Sequence, residues 1–179
     1  MKERSILFSA PMVRAILGGR KTQTRRPVKN LGFVPGIGHV LNGSDDSSEW
    51  PDFCPHGKTG DRLWVRETFL QDTEGFIYRA DGDFEGNAKI LGGWRPSIYM
   101  PRWASRILLE VTNVRVERLH DISEEDAIAE GVQITDEYTG CADDIDSHAH
   151  AYKFLWDSTN GKGSWDLNPF VWVIEFRRI

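Results

Sequence analysis

Apolar positions change their spacing several times along the chain, and each change marks an element. Ile6-Leu7-Phe8 predicts a short strand. Ser9 then stands as the N-cap of a helix with Pro11 in its first turn, where a missing N–H costs nothing. Met12, Ala15, Ile16 and Leu17 keep helical spacing, and Gly18-Gly19 supplies the positive-φ stop. Thr22 to Val28 predicts an extended segment at a sheet edge, because Pro27 lacks a donor for a second ladder. Residues 30–60 are rich in Gly, Pro, Ser and Asp with little periodicity, and predict a long loop excursion.

Gly60-Asp61 turns the chain into a strand from Arg62 to Phe69, and Phe76-Ile77-Tyr78-Arg79 predicts another. Glycines 82, 86, 92 and 93 mark a second excursion over residues 80–97. Ser105 to Leu119 is the longest strand pattern, with Ile107, Leu109, Val111, Val114 and Val116 apolar and an irregularity at Thr112-Asn113; it should be central. Ser123-Glu124-Glu125-Asp126 is a capped helix start that Gly131 closes. After a third excursion at 132–145, Asp143 to Asp157 predicts a helix with Ile145, Ala149, Tyr152 and Leu155 or Trp156 on one face, and Phe170 to Phe176 a buried strand. Short strands, three short helices and no βαβ alternation predict an α+β fold: one domain over residues 1–179, a mixed β-barrel with short flanking helices.

Composition agrees with one domain, since 179 residues with 40% hydrophobic content can bury a core. Charge changes the picture more. Residues 1–29 hold eight Lys or Arg against Glu3 alone, whereas residues 120–150 hold ten carboxylates and no Lys or Arg. The net charge of −5 excludes a uniformly basic nucleic-acid binder but leaves room for a local positive groove; alternatively the two regions pair as a solvated surface. Cys54 and Cys141 are too few for a disulfide framework, and no apolar run has the length of a signal or membrane segment, so the expected setting is the reducing cytoplasm, away from membranes. Cys54-Pro55-His56, His148 and His150 lack the second close pair that a metal site needs, and His39 and His120 stand alone. Gly36-Ile37-Gly38 lacks the strand and helix of a dinucleotide fingerprint, so neither metal nor cofactor is expected.

The candidate chemistry lies in Gly18-Gly19-Arg20-Lys21-Thr22-Gln23-Thr24-Arg25-Arg26, a glycine turn opening into cations and hydroxyls. A threonine hydroxyl becomes a nucleophile when a base takes its proton. A lysine serves as that base once burial or neighbouring cations lower its pKa from about 10.4. Arg20, Arg25 and Arg26 push Lys21 that way. Residues three apart on a strand face opposite sides, so Lys21 and Thr24 cooperate only if the backbone turns between them. The plainer reading makes Lys21 a cation placed favourably after a helix C-terminus. Trp64, Arg66 and Glu67 line a cleft or form a core tryptophan and a surface ion pair; Arg95, Arg102 and Arg106 hold phosphates or pack at a rim.

Taken in order, Gly19-x-Lys21-x-x-Thr24-x-Arg26, Gly60-Asp61 before a strand, the Leu119 to Val132 helix signature and Trp172-Val173-Ile174-Glu175-Phe176 resemble the ASCH domain family. With Pro101-Arg102-Trp103-Ala104-Ser105-Arg106 the chain looks like the larger ASCH proteins of bacteriophages and prophages, over nearly its whole length. The resemblance implies a PUA-like barrel with a basic cleft. Where the family often has Glu, this chain has Thr24, as does a small bacterial ASCH enzyme that deacylates N-acetylcytidine. By that similarity Lys21 is a catalytic lysine, Thr24 the nucleophile and Glu130 the catalytic glutamate, with Arg20, Arg25, Arg26, Trp64, Arg66 and Glu67 binding substrate or RNA. Two functions follow as expectations. One is an amidohydrolase for an N-acylated pyrimidine nucleoside; the other is an RNA-binding module, or an RNA-cleaving protein, whose cations contact phosphates.

Overall fold

The computed structural model describes residues 1–28, 53–73, 75–82, 92–134 and 147–179. Most of the three excursions, with His39, Gly36-Ile37-Gly38, Cys141 and the expected helix start at Asp143, lie outside the described residues. In chain order the elements are β1 (Glu3–Leu7), α1 (Ala10–Leu17), β2 (Gln23–Pro27), β3 (Arg62–Arg66), β4 (Phe69–Gln71), β5 (Phe76–Tyr78), β6 (Leu108–Arg118), α2 (Glu124–Ala129), α3 (His148–Asn160) and β7 (Phe170–Arg178).

Five strands form one mixed sheet in the order β1-β3-β6-β7-β2, and β4 pairs with β5 in a small second sheet. Among the described strand pairs only β1 and β3 run parallel. β6 is central, as its length predicted, and its register with β7 slips between Val111 and Asn113, where the irregular dipeptide stands. β7 explains its own unbroken apolar sequence. Trp172, Ile174 and Phe176 enter a core with Val13 and Ile16 of α1, while Val171 and Val173 enter a second core with Tyr152, Leu155 and Trp156 of α3. A strand covered on both faces has no polar side to show.

The expected closed barrel is an open sheet by strand pairing: among the described residues no ladder joins β1 to β2. β1 leads into α1 at Ala10, and the free edge of β2 has only the N–H groups of Gln23 and Arg25 to offer, since Pro27 carries none. A side chain crosses instead, with Arg26 Nη2 donating to the Leu7 carbonyl at 2.8 Å. Phe176 N–H donates to Thr22 O and Val28 N–H to Phe170 O. Thr22, Thr24, Arg26 and Val28 therefore turn their backbone groups toward β7, and Gln23, Arg25 and Pro27 turn theirs to the free edge, where the missing donor of Pro27 is harmless.

Asp61 ties the sheet's other end. Its carboxylate accepts from Lys2 N–H at 2.7 Å, Arg4 Nη1 at 2.7 Å and Lys58 N–H at 3.4 Å. Lys2's N–H bond lowers its pKa most, and despite some opposing burial the carboxyl falls from 3.8 to about 2. A depressed carboxylate stabilises the fold above its unfolded pKa, and that stability is lost as pH falls from about 4 through 2. Acid titration of unfolding should show this loss in the native chain and a shallower fall over the same window in Asp61→Asn.

Candidate functional site at the free edge of strand β2

The chain leaves α1 at Gly19, whose φ of 73° turns it back, and Lys21 N–H still donates to Ala15 O at 3.1 Å. Lys21 thus precedes β2 rather than lying in it, and the face restriction of a strand does not apply to it. Its side chain is fully buried, and Nζ donates to Gln23 O at 2.8 Å, Glu130 O at 2.8 Å and Glu130 Oε2 at 2.7 Å. Three ammonium protons meet three acceptors, one from the strand and two from the residue that ends α2. Burial pulls the Lys21 pKa down; Glu130 opposes this, Arg26 and Arg25 reinforce it, and the net direction is downward.

Gly131 lets α2 come this close. Its φ is +82°, and a Cβ there would stand 2.9 Å from Ala15 Cβ and 3.0 Å from Lys21 Cβ. Gly131→Ala combines left-handed strain with a clash against packed atoms, for a loss of roughly 2–4 kcal/mol in denaturant unfolding.

Arg25 is also buried, and what it touches is acidic. Nη2 donates to Glu117 and, at 2.9 Å, to Asp126; Nη1 reaches Glu130 Oε1 at 3.4 Å; Tyr152 presents its ring at 6.0 Å. Burial lowers its pKa, but the Glu130 and Glu117 carboxylates more than offset it and hold the guanidinium above its ordinary value. Gln23 Nε2 and Arg115 Nη2 complete the set around Asp126. The basic start and the acidic 120–150 region do meet, but inside the fold rather than on a solvated surface. Arg25 is consequently turned away from any phosphate. Arg26 caps the Leu7 carbonyl and lies over Phe8 at 5.4 Å, and Arg20 is exposed beyond α1.

A small pocket opens at this edge, with a cavity volume of about 20 Å³, room for about one water. Thr24, Arg25 and Arg26 of β2 line it together with Glu130, Met12 of α1 and Tyr152, Leu155, Trp156 and Thr159 of α3. Thr24 is 2% exposed and stands opposite Ile174 in the ladder. Thr24 and Glu130 face the same space, while Lys21 sits behind Glu130. Tyr152 is the addition that sequence reasoning placed in the core: burial and then the adjacent Glu130 carboxylate drive its phenol well above its ordinary pKa. A tyrosine in an otherwise apolar helix stripe was the available signal, since a buried hydroxyl needs a partner.

Trp64, Arg66 and Glu67 are not part of this pocket. Trp64 and Arg66 share the outer face of β3, where Arg66 lies 5.4 Å and Arg102 5.9 Å from the indole. Glu67, 1% exposed, takes a forked bond from Arg106 at 2.9 and 3.0 Å, and Arg106 also holds Asp81 and stacks on Tyr78 at 3.9 Å. Glu67 is thus a buried structural partner of Arg106 rather than a cleft residue. Cys54 is free and buried, and burial with Arg26 and Arg4 nearby lowers His56 to about 4. Among the described residues no group of three His, Cys, Asp or Glu is placed to hold a metal ion, and no helix is long and apolar enough to cross a membrane.

No family model matches the chain, and no curated protein matches it. Two solved structures are similar to it at low identity. One is an ASCH domain from Lactobacillus crispatus JV V101, with 12% identity and a TM-score of 0.41 over 99% of this chain and 79% of that one. The other is a protein of Enterococcus faecalis V583 assigned to family DUF984, with 13% identity and a TM-score of 0.40 over 93% of this chain; the chain spans 65% of that protein's length.

Proposed function

We propose that the chain is an amidohydrolase of the ASCH type, on a PUA-like scaffold, that removes the acyl group from an N-acylated pyrimidine nucleoside such as N-acetylcytidine. The observation that carries this reading is the meeting of Thr24 and Glu130 in one pocket, with Lys21 buried behind Glu130 and bonded to it at 2.7 Å. A structural ion pair needs no hydroxyl beside it, and a phosphate-binding patch needs no carboxylate.

In this reading Thr24 Oγ attacks the acyl carbonyl carbon and its proton passes to Glu130. Lys21 fixes Oε2, leaving Oε1, held by Arg25 only at 3.4 Å, as the oxygen that takes the proton. Collapse breaks the C–N bond, and the exocyclic nitrogen leaves with that proton. Water then attacks the threonine ester, gives a proton to Glu130 and releases the carboxylic acid; the proton returns to Thr24 Oγ. Lys21 acts through Glu130 rather than directly on Thr24, because all three of its protons are already directed elsewhere.

The RNA-binding reading is weaker, because it spends Arg25 and Arg26 on phosphates whereas both are engaged within the fold. The test is chromatography with mass detection on N-acetylcytidine and a panel of acylated nucleosides. Release of cytidine and acetate supports the reading. No conversion across the panel overturns it.

A further inference from the structure

Buried donors seldom go without acceptors, because a desolvated N–H that finds none destabilises the fold. Among the described residues four buried side-chain donors have no acceptor: Arg25 Nε, Arg66 Nε, Trp94 Nε1 and Trp156 Nε1. Two of the four, Arg25 and Trp156, belong to side chains that line the pocket at the edge of β2. They lie 131 positions apart in sequence, so no local turn accounts for both. Arg25 bonds Glu130 through Nη1 and Glu117 and Asp126 through Nη2, and Nε is its nitrogen with no acceptor at all. Trp156 is 3% exposed and packed beside Tyr152 with ring centroids 6.2 Å apart, so its indole N–H is shut from solvent.

We infer that Trp156 Nε1 and Arg25 Nε are recognition donors that read the acceptor edge of a cytosine base. This rests on the nucleoside reading of the pocket and adds to it the feature of the base that is selected. Two donors complement an edge that presents two acceptors, the 2-oxo oxygen and the ring nitrogen N3. Uracil carries an N–H at that ring position and sets donor against donor. A site built to bond its ligand discriminates strongly, since the wrong ligand leaves buried groups unpaired. Entry of the base parts the side chains of α3 from the edge of β2, and the free protein keeps both donors unsatisfied until then. Trp156 is therefore a specificity residue whose indole nitrogen costs stability in the free state, a trade between stability and function.

Calorimetric binding of cytidine and uridine to the intact chain tests this without turnover. Wild type should prefer cytidine by about tenfold or more, and Trp156→Phe should reduce the preference below about threefold. The melting temperature separates this role from packing. Removing an unpaired donor holds or raises it, whereas a tryptophan that only fills space lowers it when cut to phenylalanine. A ligand-side change covers the case in which the variant does not fold: 3-deazacytidine, with C–H in place of the ring acceptor, should bind wild type about as weakly as uridine. Equal binding of cytidine, uridine and 3-deazacytidine, or an unaltered preference in Trp156→Phe, overturns the inference. Selective cytidine binding without hydrolysis of its acetyl form removes the proposed reaction and leaves this inference standing; hydrolysis with an unchanged Trp156→Phe preference does the reverse.

Discussion

Lys21→Met will cost the fold roughly 3–5 kcal/mol, the range for breaking a buried ion pair by removing one partner. The variant retains the volume of the side chain but leaves Glu130, 3% exposed, with Arg25 Nη1 at 3.4 Å in place of an ammonium at 2.7 Å. It also strips the Gln23 and Glu130 carbonyls of a donor, and buried carbonyls without partners add to the loss. Glu130→Leu alone should be comparably damaging, since it strands the Lys21 ammonium. The double variant Lys21→Met/Glu130→Leu should lose markedly less than the sum, because Arg25 still has Glu117 and Asp126. Urea unfolding of the four proteins closes the cycle. Additive losses would mean that the pair carries no coupling and that Lys21 is held by the two carbonyls alone. Alkaline pH adds a check on sign. A lysine whose folded pKa is lowered is protonated less readily folded than unfolded, so stability should rise with pH on approaching 10.5.

Thr24→Val carries the largest effect on activity. Valine copies the shape of threonine at a site that is 2% exposed, so packing against the Ile174 neighbourhood is kept while the attacking oxygen is removed. Loss of a nucleophile leaves only binding and positioning, and kcat should fall on the order of 10³-fold or more. Thr24→Ser should retain a measurable fraction, because the oxygen remains and only its rotamer loosens. Lys21 and Glu130 variants should also abolish turnover, but through the fold as well as the chemistry; Thr24→Val separates the two.

Much of this architecture was legible in the residues. Pro11 and Gly19 bound α1, Ser123 caps α2 by accepting from Asp126 N–H, and the Thr112-Asn113 irregularity stands where β6 slips against β7. Pro27 marked β2 as an edge, and the edge is where the pocket opens. What could not be read was anything set by contacts distant in sequence. Arg25 reads as a phosphate contact until Glu117, Asp126 and Glu130 are folded around it, 92 to 105 positions away. Glu67 reads as half of a surface pair with its neighbour until Arg106 is placed above it. Tyr152 and Trp156 fit an apolar helix stripe, and spacing alone does not tell a ring that fills space from one whose polar atom faces a site. Whether β1 and β2 close a barrel is likewise a matter of two edges meeting, which strand propensity does not encode. The apparent conflict between Lys21 and Thr24 on opposite strand faces dissolves for a local reason: β2 begins at Gln23, two residues after the lysine.

The most direct test is a side-by-side turnover assay of wild type and Thr24→Val on N-acetylcytidine, with matched unfolding curves to show that both are folded. The account predicts cytidine and acetate from wild type and none above background from the variant at unchanged stability. Equal rates from the two proteins, or no cytidine from either, would contradict it.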